Sequence, residues 1–256
     1  MGGDCESNVE NIIEVKNLKK TYISRGHVTE ALRGISFAVK KGEIFGILGV
    51  NGAGKSTTLN ITIGLLTPSS GTVRIFGKNF FQHESELKNQ MNIATAYADL
   101  AGNLTVYRNL KIYALMYNVP NYKKKIADLL ESFGISHLAD KWVGDLSAGE
   151  KTRVNLCKSL INDPELLLLD EPTASLDPSI ASHVRRLILK LQKDRNMTVV
   201  FTSHNMPEVE EMCDRVALLH KGKVYMVDTP DSLVKIHTAP DLEEVFIRLA
   251  KGELEE

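Results

Sequence analysis

A strand–loop–helix junction near residue 50 restricts the fold more than any other feature. The short apolar run Glu43–Leu48, E-I-F-G-I-L, leads directly into the glycine-rich stretch Gly49–Gly54. Helix-forming residues begin at Lys55 and continue to about Leu66, where Thr67-Pro68-Ser69-Ser70-Gly71 stops them. A buried strand, a glycine loop and a helix in that order open a parallel α/β unit. The loop, G-V-N-G-A-G-K-S over Gly49–Ser56, also carries a chemistry. A phosphate chain needs several backbone N–H groups converging on its oxygens, and glycine permits the turns and the close approach this requires. The helix that starts at Lys55 adds the positive end of its dipole. Lys55 would reach the β- and γ-phosphates, and the Ser56 hydroxyl would ligate Mg²⁺.

The remaining pattern fits an α/β chain with one insertion. Ile12–Val15 and Ala31–Val39 carry β-branched and apolar residues on either side of the polar stretch Ser24–Glu30, which suits an antiparallel ribbon. Leu166–Leu169, Thr198–Thr202 and Val216–Leu219 are short apolar runs suited to a sheet buried on both faces. Helical periodicity over Ile180–Leu191 connects the first two, and Val216–Leu219 with Val224–Val227 predicts a hairpin turning at Gly222. From about Tyr97 to Leu160 the texture is helical, with apolar residues at helical intervals in Val106–Met116 and Lys124–Phe133 and with Gly134 as a C-terminal stop. Asp241–Leu249 reads as a short amphipathic helix. One domain over 11–249 follows: a core and β subdomain from 11–96 and 161–235, a helical subdomain over 97–160, and a short C-terminal helix and tail over 236–256.

Composition removes several functional classes. The 256 residues are 43% hydrophobic and 25% charged, a globular balance. Lys and Arg total 31 against 32 Asp and Glu, so no bulk basic field attracts nucleic acid, and no nucleic-acid partner is expected. No apolar run approaches the ~18 residues of a membrane span. Met1–Glu10 is polar and acidic, unlike a secretory signal. Cys5, Cys157 and Cys213 are too widely spaced for a disulfide framework or a metal pair, and a reducing cytosol is the expected compartment.

Two further motifs matter. In L-L-L-L-D-E-P, Leu166–Pro172, four leucines make a buried strand that delivers carboxylates to the sheet edge. Asp170 can hold Mg²⁺, usually through its water shell, and Glu171 can orient or deprotonate an attacking water. L-S-A-G-E, Leu146–Glu150, places a serine and a glycine ahead of the helical run Val154–Leu160, which by itself is an N-cap and an anion-compatible helix start.

Together these motifs resemble those of the ATP-binding subunits of ABC transporters over almost the whole chain. Gly49–Ser56 matches Walker A, Leu146–Glu150 the signature and Leu166–Glu171 Walker B. Ser175-Leu176-Asp177 matches the D-loop, His204 the switch histidine, and Tyr22 in L-K-K-T-Y the aromatic that stacks on adenine. The resemblance implies a P-loop NTPase core with a mostly parallel sheet, an N-terminal antiparallel β subdomain and a helical insertion subdomain. It implies ATP and Mg²⁺ as ligands, with Gly49, Asn51, Gly52, Ala53, Gly54, Lys55, Ser56 and Thr57 around the phosphates, and Ser56 and Asp170 on the metal. It implies a head-to-tail pair of cassettes, expected to be two identical copies. In such a pair Ser147 and the backbone of Gly149 would reach the γ-phosphate bound to the other copy. Glu171 would act on the water, His204 on the γ-phosphate or the water, and Asp177 would link the two sites.

Two departures from that pattern stand out. The signature reads S-A-G-E, so Ala148 requires a negative φ, and Glu150 brings a carboxylate near the other copy's nucleotide that would either slow closure or be neutralised by Lys151 or Arg153. No glutamine lies between Gln90 and Gln192, although the family has one just before the helical insertion; Tyr97, Asp99 and Asn103 are the candidates to replace it. The sequence is most similar to the exporters of drugs, antibiotics, lipids or polysaccharides. That implies a separate integral membrane subunit, received by a surface within 99–117 (Leu100, Leu104, Tyr107, Tyr113, Met116), and a peripheral place on the inner face of the cell membrane. A non-transport ABC ATPase, such as an iron–sulfur assembly ATPase, is the alternative; a small-molecule kinase would have no use for the signature or the D-loop.

Overall fold

The computed structural model describes residues 10–24, 27–95 and 100–254. Its strands are β1 (Asn11–Ser24), β2 (His27–Lys40), β3 (Ile44–Gly49), β4 (Ser70–Ile75), β5 (Lys78–Asn79), β6 (Met91–Thr95), β7 (Leu166–Asp170), β8 (Thr198–Thr202), β9 (Arg215–His220) and β10 (Lys223–Asp228). Its helices are α1 (Lys55–Thr62), α2 (Glu84–Leu87), α3 (Val106–Met116), α4 (Tyr122–Ser132), α5 (Ala148–Ser159), α6 (Pro178–Arg195), α7 (Met206–Met212), α8 (Pro230–Ile236) and α9 (Leu242–Lys251). The strands form an antiparallel sheet in the order β2-β1-β4-β5 and a second sheet in the order β10-β9-β3-β8-β7-β6. In the second sheet β6, β7, β8, β3 and β9 run parallel, and β10 joins β9 as an antiparallel edge.

This parallel sheet is buried on both faces, as its apolar runs predict. Leu166 and Leu168 of β7 pack with Ile13, Val15, Leu32, Val73 and Leu59, which come from the antiparallel sheet and α1. Leu167 and Leu169 pack on the opposite face with Leu110, Leu130, Leu156, Val184 and Val209, which come from the helices. Two hydrophobic layers therefore clamp the parallel strands and hold their C-terminal ends level. Thr95 pairs with Asp170 and Asp170 with Thr202 across three neighbouring strands.

Several boundaries differ from the sequence reading. The polar stretch Ser24–Glu30 does not separate the first two strands, because β1 and β2 stay paired out to Ser24↔His27. An antiparallel ladder satisfies its own backbone and needs no apolar side chains at its solvated end. Helix α1 stops at Thr62, short of Leu66, in a Schellman turn: Gly64 N–H donates to Ile61 O and Leu65 N–H to Asn60 O. The expected stop at Gly134 ends α4 the same way, through Gly134 N–H to Glu131 O and Ile135 N–H to Leu130 O. Strands β4, β5 and β6 and helix α8 had no clear signal. Between residues 100 and 160 the described structure holds α3, α4, α5 and short 3₁₀ turns, with one isolated bridge between Thr105 and Trp142.

Candidate functional site

The loop after β3 wraps over the first turn of α1. A Cβ on Gly49 would lie 2.6 Å from Leu219 O and 2.8 Å from the Ala53 Cβ, so the loop can leave the sheet this closely only at glycine. Gly54 caps α1 at φ 109° with no side chain accepting from the helix, and a Cβ there would meet Leu32 Cδ2 at 2.6 Å. The first N–H groups of α1 are thus free of any capping side chain, an arrangement suited to an anion. Lys55 is 8% exposed, and its Nζ donates to Gly49 O at 2.6 Å. Burial pushes its ammonium below the ordinary lysine range, and the nearby Glu171 and Asp170 carboxylates oppose that shift. The turn of the β9–β10 hairpin props the loop from behind, through Gly222 N–H to Ala53 O at 3.2 Å.

At the ends of β7 and β8, one hydroxyl joins the two acids. Thr202 is fully buried; its Oγ1 donates to Asp170 Oδ1 at 2.6 Å and accepts the Glu171 N–H at 3.1 Å. Glu171 sits at φ 50°, a sparsely populated backbone for a non-glycine residue. Its Oε2 lies 3.3 Å from His204 Nδ1. Sequence reading missed Thr202, whose only signal was a hydroxyl residue two places ahead of His204 at the end of an apolar strand.

Tyr22, Asn51, Gly52, Gly54, Lys55, Ser56, Thr57, Asp170 and Glu171 line one open cleft of about 510 Å³. Gly49 and Ala53 are buried in the same loop and do not line the cleft. Tyr22 is 38% exposed, and Lys20 Nζ stands 5.2 Å from its ring centroid. His204 lies in an adjoining cavity that shares Glu171. Three more of the expected residues, besides Gly49, Ala53 and His204, do not line the cleft. Asp177 caps α6, its Oδ1 accepting from Ser179 N–H and Ile180 N–H at 3.1 Å. Ser147 caps α5. Gly149 packs beside the D-loop stretch, where a Cβ would come within 3.4 Å of Ser175 O.

Ala148 is not among the residues with positive φ, so the alanine in S-A-G-E carries no backbone strain. Glu150 is neutralised differently from the expectation. Its Oε2 accepts the Ser147 N–H at 2.7 Å while Ser147 Oγ accepts the Glu150 N–H, and the facing cation is Lys141 at 3.4 Å. Arg153 is turned away, donating to Phe133 O. The Ser147 hydrogen bonds, with Lys141 after them, hold the Glu150 carboxyl below the usual range. Of the candidates for the missing glutamine, Tyr97 and Asp99 lie outside the described residues. Asn103 is exposed in the loop before α3 and does not line the cleft.

The family model described as "ABC transporter" matches residues 32–174, and one described as "AAA domain, putative AbiEii toxin, Type IV TA system" matches residues 142–210. The chain is 39% identical over 216 residues to the bacitracin transport ATP-binding protein of Bacillus licheniformis, covering 84% of this chain and 69% of that protein. It is 36% identical over 224 residues to the linearmycin resistance ATP-binding protein of Bacillus subtilis (strain 168), covering 87% and 70%. Among solved structures, a dimeric ATP-binding cassette in a post-hydrolysis state bound to ADP and Pi superposes with a TM-score of 0.78 at 26% identity, covering 85% of this chain and 98% of that one.

Proposed function

The chain belongs to the ABC transporter ATP-binding family, and we infer from its cleft how it performs that family's work. It is an ATPase cassette that binds ATP, hydrolyses it to ADP and phosphate, and powers transport. The observation that carries the site assignment is the convergence of Tyr22, the Gly49–Thr57 loop, Asp170 and Glu171 on one cleft. In this reading the adenine stacks on Tyr22, and the loop amides and Lys55 hold the phosphates. Glu171 orients and deprotonates the attacking water, and His204 steadies the γ-phosphate. The 3.3 Å contact between His204 and Glu171 supports this pairing, since it would let both side chains reach one attacking water.

The donors also fit Mg²⁺. This ion takes hard oxygen ligands and is held by one or two carboxylates plus substrate phosphates, so it does not require a three-residue cluster. Thr202 occupies one oxygen of Asp170 and leaves the other available, and the Ser56 side chain is exposed to the cleft. Ser56 and Asp170 would hold the ion, which would neutralise charge on the β- and γ-phosphates.

The remaining parts of the reading concern partners. Dimeric cassettes among the structural relatives support a second cassette, and a second copy of this same chain is the simplest one. Because Ser147 and Gly149 do not line the cleft of their own copy, the reading needs those of the partner subunit to close over the γ-phosphate. No helix among the described residues is long and apolar enough to cross a membrane. In this reading the transport path lies in separate membrane subunits, which hold the chain at the inner face of the cell membrane. Relatives named for bacitracin transport and linearmycin resistance favour export. The exposed apolar row Ile112, Leu115 and Met116 on α3, with Trp142, is the surface that would receive such a subunit. Leu100, Tyr107 and Tyr113, expected on that surface, are instead half-buried against the core.

Equilibrium binding of Mg·ATP to Lys55→Ala tests the site. The loss of a charge-assisted contact predicts affinity weaker by about two orders of magnitude, roughly 3 kcal/mol. Affinity within twofold of the parent would overturn the assignment.

A further inference from the structure

Glu208 is 2% exposed, yet it carries a carboxylate. Desolvating that group is expensive unless hydrogen bonds replace the lost water. Thr173 Oγ1 donates to Glu208 Oε1 at 2.6 Å, and Ser203 Oγ donates to Oε2 at 2.9 Å. Both hydroxyl residues are buried too. Their places in the chain give the arrangement its meaning: Thr173 stands two residues after Glu171, and Ser203 stands immediately before His204. One carboxylate therefore ties together the two loops whose side chains meet 3.3 Å apart in the candidate catalytic pair.

The stitch is itself anchored. Glu208 occupies the first turn of α7, where the helix dipole favours a negative charge. Asn205 caps that helix by accepting the Glu208 N–H, and the Asn205 N–H in turn donates to Ser203 Oγ at 3.0 Å. The loop Ser203–Asn205 is thus closed on itself by the group that holds Thr173. A buried carboxylate is weak as a source of stability, since apolar residues of similar size commonly serve as well. Its two directed acceptors do specify geometry. Glu171, strained at φ 50°, is otherwise held by Thr202 and by the Ala174 N–H on its carbonyl, and the exposed His204 ring by its contact with Glu171.

We propose that Glu208 is a positioning residue for ATP hydrolysis, holding Glu171 and His204 in register through Thr173 and Ser203. The proposal rests on the site reading above. Its test is single-turnover hydrolysis of bound Mg·ATP by the full chain, with Mg·ATP affinity measured in parallel. Thr173→Val and Ser203→Ala each remove one arm and leave the carboxylate in place. The expected result is hydrolysis slowed roughly tenfold or more in each, as slight misplacement of reacting groups produces, with affinity within twofold of the parent. Thr173→Ser, which restores the hydroxyl, should recover the rate. Unchanged hydrolysis in both variants, an equally slow Thr173→Ser, affinity falling in step with rate, or loss of the folded state in both variants would each overturn the proposal. Glu171→Gln serves as the control. If it also hydrolyses normally, the site reading fails; if it alone is slow, only the role of Glu208 fails.

Discussion

Lys55 shows how a single residue couples the fold to its ligand. Its ammonium is nearly enclosed and bonded to Gly49 O, and burial lowers its pKa while Glu171 and Asp170 oppose the shift. A triphosphate in the cleft would favour the charged form and raise that pKa again. Binding should therefore take up protons at alkaline pH, and affinity should fall as pH rises through the lowered pKa of the free site. Titration calorimetry of Mg·ATP across the alkaline range, in buffers of different ionisation enthalpy, should show net proton uptake that is absent at neutral pH; the same proton exchange at neutral and alkaline pH would refute the linkage. This chemistry was legible in the motif, because a lysine following a glycine loop has few other uses. Thr202, Thr173 and Glu208 were not legible. A buried hydroxyl or carboxylate looks like any surface residue until the strand ends are aligned.

At the scale of elements, boundaries were legible where local chemistry decides them. Helix α3 begins and ends where its periodicity predicts, and β8 does likewise. The Schellman turn at Gly134 was marked by its glycine. Strand β6 was hidden: M-N-I-A-T has too little apolar run to be recognised, and its place comes from pairing with β7. Helix α5 illustrates a local rule with a functional consequence. Ser147 and Glu150 form a reciprocal capping box. Glu150→Gln preserves both bonds and should change stability by less than about 0.5 kcal/mol, whereas Glu150→Ala should cost about 1 kcal/mol. Because the folded-state pKa of Glu150 is lowered, its contribution is present above the ordinary carboxylate pKa and is lost as pH falls through the lowered one. Thermal melts at pH 7 and pH 3 should show the parent losing more stability on acidification than Glu150→Gln. The same loss in both would show that the carboxylate adds nothing.

At the scale of the whole molecule, the order of motifs made the α/β core legible, since five parallel strands with a glycine loop after β3 leave few topologies. That Ser147 and Gly149 would meet the other copy's nucleotide came from the resemblance alone, because the residues by themselves read only as an N-cap. One copy keeps Ser147 away from its own cleft, so under the proposed reading closure takes two copies. Glu171→Gln should retain Mg·ATP and sediment as a dimer that disperses when nucleotide is removed; a monomer at saturating Mg·ATP would contradict the two-copy site.

The proposed membrane-facing side lies on α3. Val106, Leu110 and Ala114 face the core, while Ile112, Leu115 and Met116 form an exposed row at the i, i+3, i+4 spacing of one helix face. Their apolar surface contributes nothing to this chain's own core, so replacing it should leave the fold within about 0.5 kcal/mol. If that row docks a membrane subunit, Leu115→Glu with Met116→Glu should keep Mg·ATP affinity and intrinsic hydrolysis while reducing co-purification with the membrane subunit at least tenfold. A double variant that still holds its subunit would move the docking surface elsewhere on the helical subdomain, with Trp142 at 48% exposure the next place to cut.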